Sequence, residues 1–434
     1  MRVILVLALA GLSSAADEWY RVQVTVTTTS DWTVVRFANA PRSWVDSQEV
    51  SSEGSVKVTT GPLAIHKPSM DETPTTLKAF VFLQLPESGD LDLQLTRGDL
   101  GATTVSIEGV GDFTHAKVTG GGTNPKGFAV SSEAVRRLGP VRFEVKKPRE
   151  KRVLAFYYPW YGSPEGPSKR WVHWNPSRHN DSTDTPELGL YDSNDETVIR
   201  KHVAWAREAG VDGFISSWWG RGTFEDASTR ALLKVAEEEG FLVSVYLEQA
   251  SDAAQLMEDV SYLVKEFGTS KAWLKEDGRP VVFVYTRVVG DFKPAEFATA
   301  RGAALLMMDT FDATYGKSGG GLHTYNPVFE DVARLRETYV STSWACRVNG
   351  LIFAATVAPG YDDTVIREPG GARARDDGKL YDAFWEAAIA SEPDWVLVCS
   401  WNEWHEGSEI EPSKEYGDVY LKKTAEWARK WKGR

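Results

Sequence analysis

Residues 394–412 read DWVLVCSWNEWHEGSEIEP and join two kinds of sequence. The first seven residues form an apolar run that is typical of a strand buried on both faces, as parallel strands are. Two tryptophans, a histidine and four glutamates follow directly, from Trp401 onward. Because a buried strand leads straight into a cluster of carboxyl groups, the place of this strand in the fold decides how the cluster is interpreted.

The same pattern of an apolar run followed by a helical stretch recurs through residues 149–434. Several helical stretches begin at an Asp or Asn cap signal and end at glycine. The eight strand candidates are 153–158, 212–218, 242–248, 280–286, 303–308, 321–326, 350–356 and 394–400. Eight alternating strand–helix units predict a (β/α)8 TIM barrel. A doubly wound open sheet is the alternative, but no G-x-G-x-x-G motif follows the first strand.

Residues 17–148 follow a different pattern, in which apolar and polar residues alternate and β-branched side chains are frequent. Turn sequences separate the strand candidates, and one short helix is expected at 131–139. We therefore predict an all-β, sandwich-like domain of seven or eight strands that precedes the barrel. Carbohydrate binding and bracing of the barrel are both open as its role.

Residues 1–16 have the features of a secretory signal peptide: Arg2, an apolar run of ten residues from Val3, and small residues before the expected cleavage site. The run is too short to cross a bilayer, and no later stretch is long and apolar enough. We expect an exported protein without a membrane span after signal removal. Its location is secreted or extracytoplasmic, with the cell surface and the periplasm both open.

The composition narrows the choice of partner. The formal net charge is −12 and no cluster of Lys and Arg is present, which argues against nucleic acid because backbone affinity needs positive charge. Seventeen tryptophans suit stacking on sugar rings, although a Trp-rich core is the other interpretation. Cys346 and Cys399 form either a disulfide or buried free thiols, and no spacing indicates a metal site or a cofactor. The oligomeric state is not indicated.

The barrel interpretation locates the active site, because active sites of such barrels lie at the C-terminal ends of the strands. Aromatic, carboxyl and hydrogen-bonding side chains follow the strand candidates there, a combination that suits a carbohydrate cleft. The predicted substrate-binding residues are Tyr158, Trp160, Tyr161, His173, Trp174, Trp218, Trp219, Glu248, Tyr325, Tyr361, Arg367, Asn402, Trp404 and His405.

Glu403 and Glu406 are the candidate catalytic residues. Glycoside hydrolysis needs two carboxyl groups, one as acid for the leaving oxygen and one that acts at or near the anomeric carbon. Burial among Trp401, Trp404 and His405 is expected to raise the pKa of one glutamate and keep it protonated. The alternative is a pair of structural salt bridges in a solvated loop.

Seven motifs carry a family resemblance: FYYPWYG, VHWNP, SSWW, YLE, TYN, GYDDTVIR and SWNEWHEGSEIEP, in this order. Together they resemble glycoside hydrolase family 99, the endo-α-1,2-mannosidase family, over residues 152–431. The resemblance implies a retaining reaction without a metal, in which Glu403 deprotonates the 2-hydroxyl of the sugar to form a 1,2-anhydro intermediate. It implies that Glu406 is the acid/base and that Tyr325 and Glu248 line the subsite of the scissile sugar.

Two motifs depart from the family pattern. Residues 246–249 read YLEQ where the family has H-I-E-P, and Asn326 follows Tyr325 where relatives often have an aromatic residue. The predicted function is a secreted retaining glycosidase that cleaves α-mannosidic linkages in an oligosaccharide or polysaccharide. The alternatives are the same fold acting on an α-glucan or a cell-surface polysaccharide, and a non-catalytic sugar-binding protein of the cell envelope. Endo and exo action are both open.

Overall fold

The computed structural model describes residues 18–52, 57–60, 63–66, 73–98, 101–116, 125–141 and 149–433. The predicted signal peptide lies outside these residues. The chain divides into two compact units, Met1–Glu144 and Val145–Arg434. Each unit has its own type of secondary structure.

The described residues of the first unit form eleven strands and one short helix. They are β1 (Trp19–Thr28), β2 (Trp32–Phe37), β3 (Ser43–Ser52), β4 (Lys57–Thr60), β5 (Leu63–His66), β6 (Thr75–Leu83), β7 (Leu91–Arg97), β8 (Thr103–Ile107), β9 (Gly111–His115), β10 (Lys126–Val130), α1 (Ser132–Arg136) and β11 (Pro140–Val141). The strands pair antiparallel in two sheets, ordered β3-β6-β1-β8-β9, with β11 beside β1, and β10-β7-β2-β5-β4.

The two sheets of the first unit share one hydrophobic core. Alternate residues of β1, such as Val22 and Val24, pack with Leu93 and Leu95 of β7 from the other sheet. This confirms the β-rich, sandwich-like prediction and the helix near 131–139, which Ser131 caps through its side-chain oxygen. The strands outnumber the seven or eight predicted because short strands such as β9 are largely exposed and show little alternation.

The described residues of the second unit alternate strands and helices. The elements are β12 (Arg152–Tyr157), α2 (Glu196–Glu208), β13 (Gly213–Trp218), α3 (Phe224–Glu239), β14 (Leu242–Leu247), α4 (Ala253–Glu266), β15 (Lys275–Glu276), β16 (Arg279–Val284), α5 (Thr286–Asp291), α6 (Pro294–Ala300), β17 (Leu305–Asp309), α7 (Ala313–Gly319), β18 (Gly320–His323), α8 (Val332–Val348), β19 (Ile352–Val357), β20 (Tyr361–Asp362), β21 (Ala372–Arg373), α9 (Lys379–Ala390), β22 (Trp395–Val398) and α10 (Val419–Lys432).

Eight of these strands close into a parallel barrel. Their order is β12-β13-β14-β16-β17-β18-β19-β22, and β22 pairs with β12 to complete the ring. Each corresponds to one of the eight predicted strands, so the (β/α)8 prediction is confirmed. Side chains that include Phe156, Ile215, Phe283 and Met307 are buried in the barrel core.

Local sequence signals set the ends of the helices. Thr223 caps α3 by accepting a hydrogen bond from the Asp226 backbone N–H. The same helix ends at Gly240, whose φ of 67° lies in the left-handed region that glycine adopts without strain. These signals fix where α3 begins after β13 and where the chain turns toward β14.

Both cysteines are free and buried. Cys346 lies on α8 and Cys399 directly follows β22, so the structure favours the free-thiol alternative. None of the described helices is both long and apolar enough to cross a membrane.

Candidate active site

A cavity of about 460 Å³ opens where the barrel strands end. Most of its wall comes from residues that follow β12, β13, β14, β16, β18, β19 and β22, at the end of the barrel where the active site is expected. It is lined by Tyr158, Trp160, His173, Trp219, Glu225, Tyr246, Glu248, Tyr285, Arg287, Tyr325, Arg367, Glu403 and Glu406.

The candidate catalytic pair lies on a tight turn after β22. The chain leaves the barrel and forms a 3-10 turn, Trp404–Glu406, which Glu403 caps by accepting a hydrogen bond from the His405 backbone N–H at 3.2 Å. Residues three apart lie on the same side of such a turn. The spacing of Glu403 and Glu406 therefore directs both carboxyls into the cavity.

Buried side chains fix the path of this turn. The Asn402 side chain bonds to both backbone groups of Tyr158, accepting at 2.7 Å and donating at 3.1 Å. The Glu403 backbone N–H donates to the Ser400 hydroxyl at 2.7 Å. Asn402 thus ties the catalytic loop to the first barrel strand and does not itself reach the cavity.

Tyr161, Trp174 and Trp404 form a layer behind the cavity wall. The Tyr161 hydroxyl donates to the Asn402 carbonyl and accepts from the Trp404 backbone N–H, both at 3.2 Å. Trp174 stacks on Tyr161 with ring centroids 4.0 Å apart. These four residues were predicted to bind substrate, but burial places them as supports of the loop.

Burial governs the charge of the candidate catalytic pair. It raises the pKa of Glu403 well above its usual range, and repulsion from Glu406 adds to the effect. Burial also raises the pKa of Glu406, while the Arg367 guanidinium, with both terminal nitrogens 3.1 Å from Glu406 Oε1, opposes the rise. Burial therefore favours the protonated form of both carboxyls, and Arg367 favours the charged form of Glu406 more than that of Glu403.

Arg367 is itself anchored by the loop that precedes it. Its guanidinium contacts the Asp363 carboxylate and donates to the Tyr361 hydroxyl at 2.7 Å. Asp363 also accepts a hydrogen bond from the Gly371 backbone N–H at 2.7 Å. Tyr361, predicted to bind substrate, does not line the cavity, because its hydroxyl is used to orient Arg367.

A third glutamate, Glu248, lies at the end of β14. It is 5% exposed, and its Oε1 accepts a hydrogen bond from the Ser217 hydroxyl at 2.8 Å. Burial raises the pKa of Glu248 to about 8, against the opposing effect of the Ser217 hydrogen bond. Glu248 is therefore mostly protonated at neutral pH and offers both a donor and an acceptor to a sugar hydroxyl.

Linked phenols form another part of the wall. The Tyr158 hydroxyl donates to the Tyr325 hydroxyl at 2.5 Å, and the Tyr246 hydroxyl donates to Asp309 at 2.9 Å. Asp309 also accepts from the Tyr325 backbone N–H at 3.0 Å. Burial raises the pKa values of the three tyrosines, so they are neutral hydrogen-bonding groups.

Two histidines stand beside the pair. His173 lies flat on Trp160 with centroids 4.5 Å apart, and His405 Nε2 is 3.0 Å from the His173 carbonyl oxygen. Burial lowers the pKa of His173 and lowers that of His405 to about 4. Both rings are neutral near pH 7; His173 lines the cavity, whereas His405, predicted to bind substrate, holds the wall in place.

The position of Trp218 corrects a prediction. Side chains alternate between the two faces of a strand, and Ser217 and Trp219 face the barrel mouth, where the Trp219 indole N–H donates to Ser217 at 3.0 Å. Trp218 therefore points outward, and its indole N–H donates to Asp226 of α3 at 2.9 Å. It belongs to the strand–helix interface and cannot contact a ligand in the cavity.

The sequence interpretation missed four lining residues: Glu225, Tyr246, Tyr285 and Arg287. Tyr285 and Arg287 follow β16, so the strand-end rule was sufficient to find them. Tyr246 lies inside a strand, where its apolar neighbours obscured it. Glu225 lies in the first turn of α3, beyond the strand end to which the rule applies.

The other two glutamates of the opening stretch are paired away from the cavity. Glu409 accepts from the buried Arg375 guanidinium at 2.5 Å, and Glu411 lies 3.0 Å from His202 Nε2. Within the described ranges, no group of three His, Cys, Asp or Glu side chains is arranged to hold a metal ion.

The model of glycosyl hydrolase family 99 matches residues 148–315 and 336–433. The glycoprotein endo-alpha-1,2-mannosidase of Rattus norvegicus is 28% identical over 378 residues, 73% of this chain and 80% of that protein. The related "-like" protein of Homo sapiens is 26% identical over 340 residues, 63% of this chain and 74% of that protein.

A solved structure gives the same result. The family 99 endo-alpha-mannosidase from Bacteroides thetaiotaomicron, in complex with bis-tris-propane, is 29% identical to this chain, with a TM-score of 0.59. The alignment covers 65% of this chain and 98% of that one. The family match falls on the barrel, the unit that carries the cavity.

Proposed function

The chain belongs to glycosyl hydrolase family 99 and is a glycosidase, and from this premise we propose that it cleaves α-mannosidic linkages with retention of configuration. The observation that carries the proposal is the pair Glu403 and Glu406, two buried carboxyls with raised pKa values that line one cavity. Relatives named as endo-alpha-1,2-mannosidases support a mannoside and an α-1,2 linkage within a glycan.

In the proposed first step, the Glu403 carboxylate takes the proton from the sugar's 2-hydroxyl. The oxygen O2 attacks C1 as the C1–O bond to the leaving group breaks, and Glu406 donates its proton to the leaving oxygen. A 1,2-anhydro sugar results. The step needs Glu403 as the base and Glu406 as the acid, roles that come from the family resemblance. Arg367 beside Glu406 favours the opposite distribution of the proton in the free protein, so the proton must lie on Glu406 when the step begins.

In the second step, Glu406, now a carboxylate, takes a proton from water as the water oxygen attacks C1 and opens the three-membered ring. Glu403 returns its proton to O2. Two inversions at C1 give net retention. Arg367 stabilises the carboxylate that Glu406 becomes after the first step, since the guanidinium lies 3.1 Å from Glu406 Oε1.

The cavity wall supplies binding. Trp160 and Trp219 offer aromatic faces on which sugar rings stack, and Glu248 and Tyr325 offer hydrogen bonds to hydroxyls. We further propose that residues 1–16 direct export of the protein and that residues 17–148 form a separate domain that binds glycan or braces the barrel. Both proposals rest on sequence features.

The proposal is tested by analysing the products of the mature protein on neutral α-linked manno- and gluco-oligosaccharides. NMR identifies the anomer that forms first. We expect an α-anomeric product from wild type, none from Glu406→Gln, and normal release from Glu386→Gln, which removes an exposed carboxylate of α9.

The outcomes separate the candidate functions. A first-formed β-anomer from an α-linked substrate contradicts retention. If only the gluco-oligosaccharides are cleaved, the substrate is an α-glucan and not an α-mannoside. If wild type releases nothing but binds oligosaccharides, the chain is a sugar-binding protein.

A further inference from the structure

Arg287 is a cation in the cavity wall that the proposed chemistry does not use. It follows β16 at the barrel mouth. In the closed ring of eight strands, β16 is four strands away from β22 in either direction, so Arg287 stands across the mouth from Glu403 and Glu406. Arg287 also interacts electrostatically with Glu248, so a group that meets Arg287 lies on the Glu248 side of the cavity, opposite the strand that leads to the pair.

Two aromatic rings orient the Arg287 side chain. Its guanidinium carbon lies 5.8 Å from the centroid of the Trp219 ring and 5.4 Å from that of Tyr285. Contacts with aromatic faces leave the edge of the guanidinium, with its N–H donors, directed toward a ligand. Trp219 and Tyr285 also line the cavity, so the guanidinium is held at its wall.

The charge of Arg287 is not neutralised by a partner. In the part of the chain that the structure describes, no carboxylate forms an ion pair with Arg287 and no acceptor receives its N–H groups. The carboxyl of Glu248 is close enough to interact electrostatically, but it bonds to Ser217 and, with a pKa raised by burial to about 8, is mostly uncharged at neutral pH.

The other charged groups of the cavity are placed differently. Arg367 is engaged by Asp363, Tyr361 and Glu406. Glu225 interacts electrostatically with His173, on the side of the cavity near the first strand. In a protein with a net charge of −12, Arg287 is thus a cation with free donors at one end of a ligand cavity.

We infer that Arg287 binds an anionic substituent of the glycan, a carboxylate, phosphate or sulfate carried by the sugar residue on the Glu248 side of the cavity. The planar guanidinium fork matches such groups with two parallel hydrogen bonds. The inference rests on the proposed function in that a glycan must occupy this cavity. It makes acidic α-linked glycans the preferred substrates over their neutral counterparts.

The experiment measures binding by calorimetry to the full-length Glu406→Gln protein, in which turnover is blocked. Four ligands are compared: a neutral α-manno-oligosaccharide, and the same oligosaccharide with one uronic acid, one phosphate or one sulfate. Comparison of the three anionic ligands shows which type of anion Arg287 binds. Arg287→Met is then added to the Glu406→Gln background. Arg221→Met is the matched control, since Arg221 also follows a barrel strand and also packs on an aromatic ring, Tyr262, but does not line the cavity.

We expect at least one anionic ligand to bind about tenfold tighter than the neutral one, or better. That preference should fall to about one with Arg287→Met and persist with Arg221→Met. Equal binding of all four ligands, or a preference that survives Arg287→Met, overturns the inference. Cleavage of the neutral oligosaccharide by wild type tests the proposed function separately. If wild type cleaves it but no anionic ligand binds more tightly, only the inference about Arg287 is wrong. If an anionic ligand binds more tightly through Arg287 but nothing is cleaved, only the proposed function is wrong.

Discussion

The barrel should lose stability as the pH rises, and Glu248→Gln should remove a large part of that loss. In the folded protein burial raises the Glu248 pKa from 4.5 to about 8. The folded state therefore holds a proton that the unfolded chain releases, and the free energy of unfolding falls as pH rises from about 4.5 to about 8. Glutamine mimics the protonated carboxyl at every pH and still accepts the Ser217 hydrogen bond.

The magnitude follows from the size of the shift. At about 1.4 kcal/mol per unit, a rise from 4.5 to about 8 corresponds to about 5 kcal/mol, fully expressed above pH 8 and absent below pH 4.5. Because about 1 kcal/mol changes Tm by roughly 2–4 °C in domains of this size class, the expected effect is on the order of 10 °C.

The assay is thermal unfolding, followed by tryptophan fluorescence, of wild type and Glu248→Gln at pH 5, 7 and 9. We expect Tm of the variant minus Tm of wild type to grow steadily with pH. Glu403 and Glu406 are present in both proteins, and their raised pKa values act in the same direction. Repulsion between Glu248 and these two groups is lost in the variant, which adds to the expected difference at high pH. Glu386→Gln controls for loss of a carboxylate, and Tm curves of wild type and Glu248→Gln that stay parallel from pH 5 to 9 would refute the reasoning.

Three further predictions concern other parts of the barrel. The plot of kcat/KM against pH should be bell-shaped, because activity needs the singly protonated Glu403–Glu406 pair. Burial raises the pKa values of both groups, so activity should fall on the alkaline side at a pH above the usual range of glutamate. Activity that does not fall up to pH 9 contradicts this prediction. Arg375→Met should lower the free energy of unfolding in urea by about 3–5 kcal/mol, because the buried Glu409 carboxylate loses its partner; a loss below about 1 kcal/mol contradicts the pairing. Trp218→Phe should leave KM within about twofold and lower stability by about 1–3 kcal/mol through its lost hydrogen bond, whereas a large rise in KM would return Trp218 to the binding site.

The sequence predicts the barrel well because parallel strands covered by helices are buried on both faces. Strands such as Val153–Phe156 and Ile352–Val357 are almost wholly apolar and contrast sharply with the polar helix faces around them. The first unit is harder, because its sheets also have an exposed face. Its strand β10, for example, has three exposed positions and only Val130 fully buried, so its apolar signal is weak.

The sequence locates the site but not the role of each side chain. The strand-end rule identifies the region, and the spacing of Glu403 and Glu406 identifies the pair. The sequence does not show whether an aromatic side chain at a strand end faces the cavity or lies buried behind the cavity wall. Trp404 and Trp219 are alike in the sequence, yet Trp404 is fully buried behind the wall and Trp219 lines the cavity. The difference depends on strand alternation and on the 3-10 turn, which are properties of the backbone path.

The four glutamates of residues 400–412 divide into two kinds, and the division explains why they occur together. Glu409 and Glu411 are buried with compensating partners, Arg375 for the first and His202 for the second, so they tie the loop to the barrel. Glu403 and Glu406 face the cavity, and burial there raises their pKa values at a cost in stability. Burial raises the pKa of Glu409 too, although Arg375 opposes that rise. Carboxyl groups are more stable in water than buried in protein, so a loop that buries two of them must be held against a rearrangement that would expose them to solvent. Glu409 and Glu411, on the same short segment, hold the loop in place through their contacts with Arg375 and His202. The cluster therefore combines two glutamates that fix the loop with two that face the cavity.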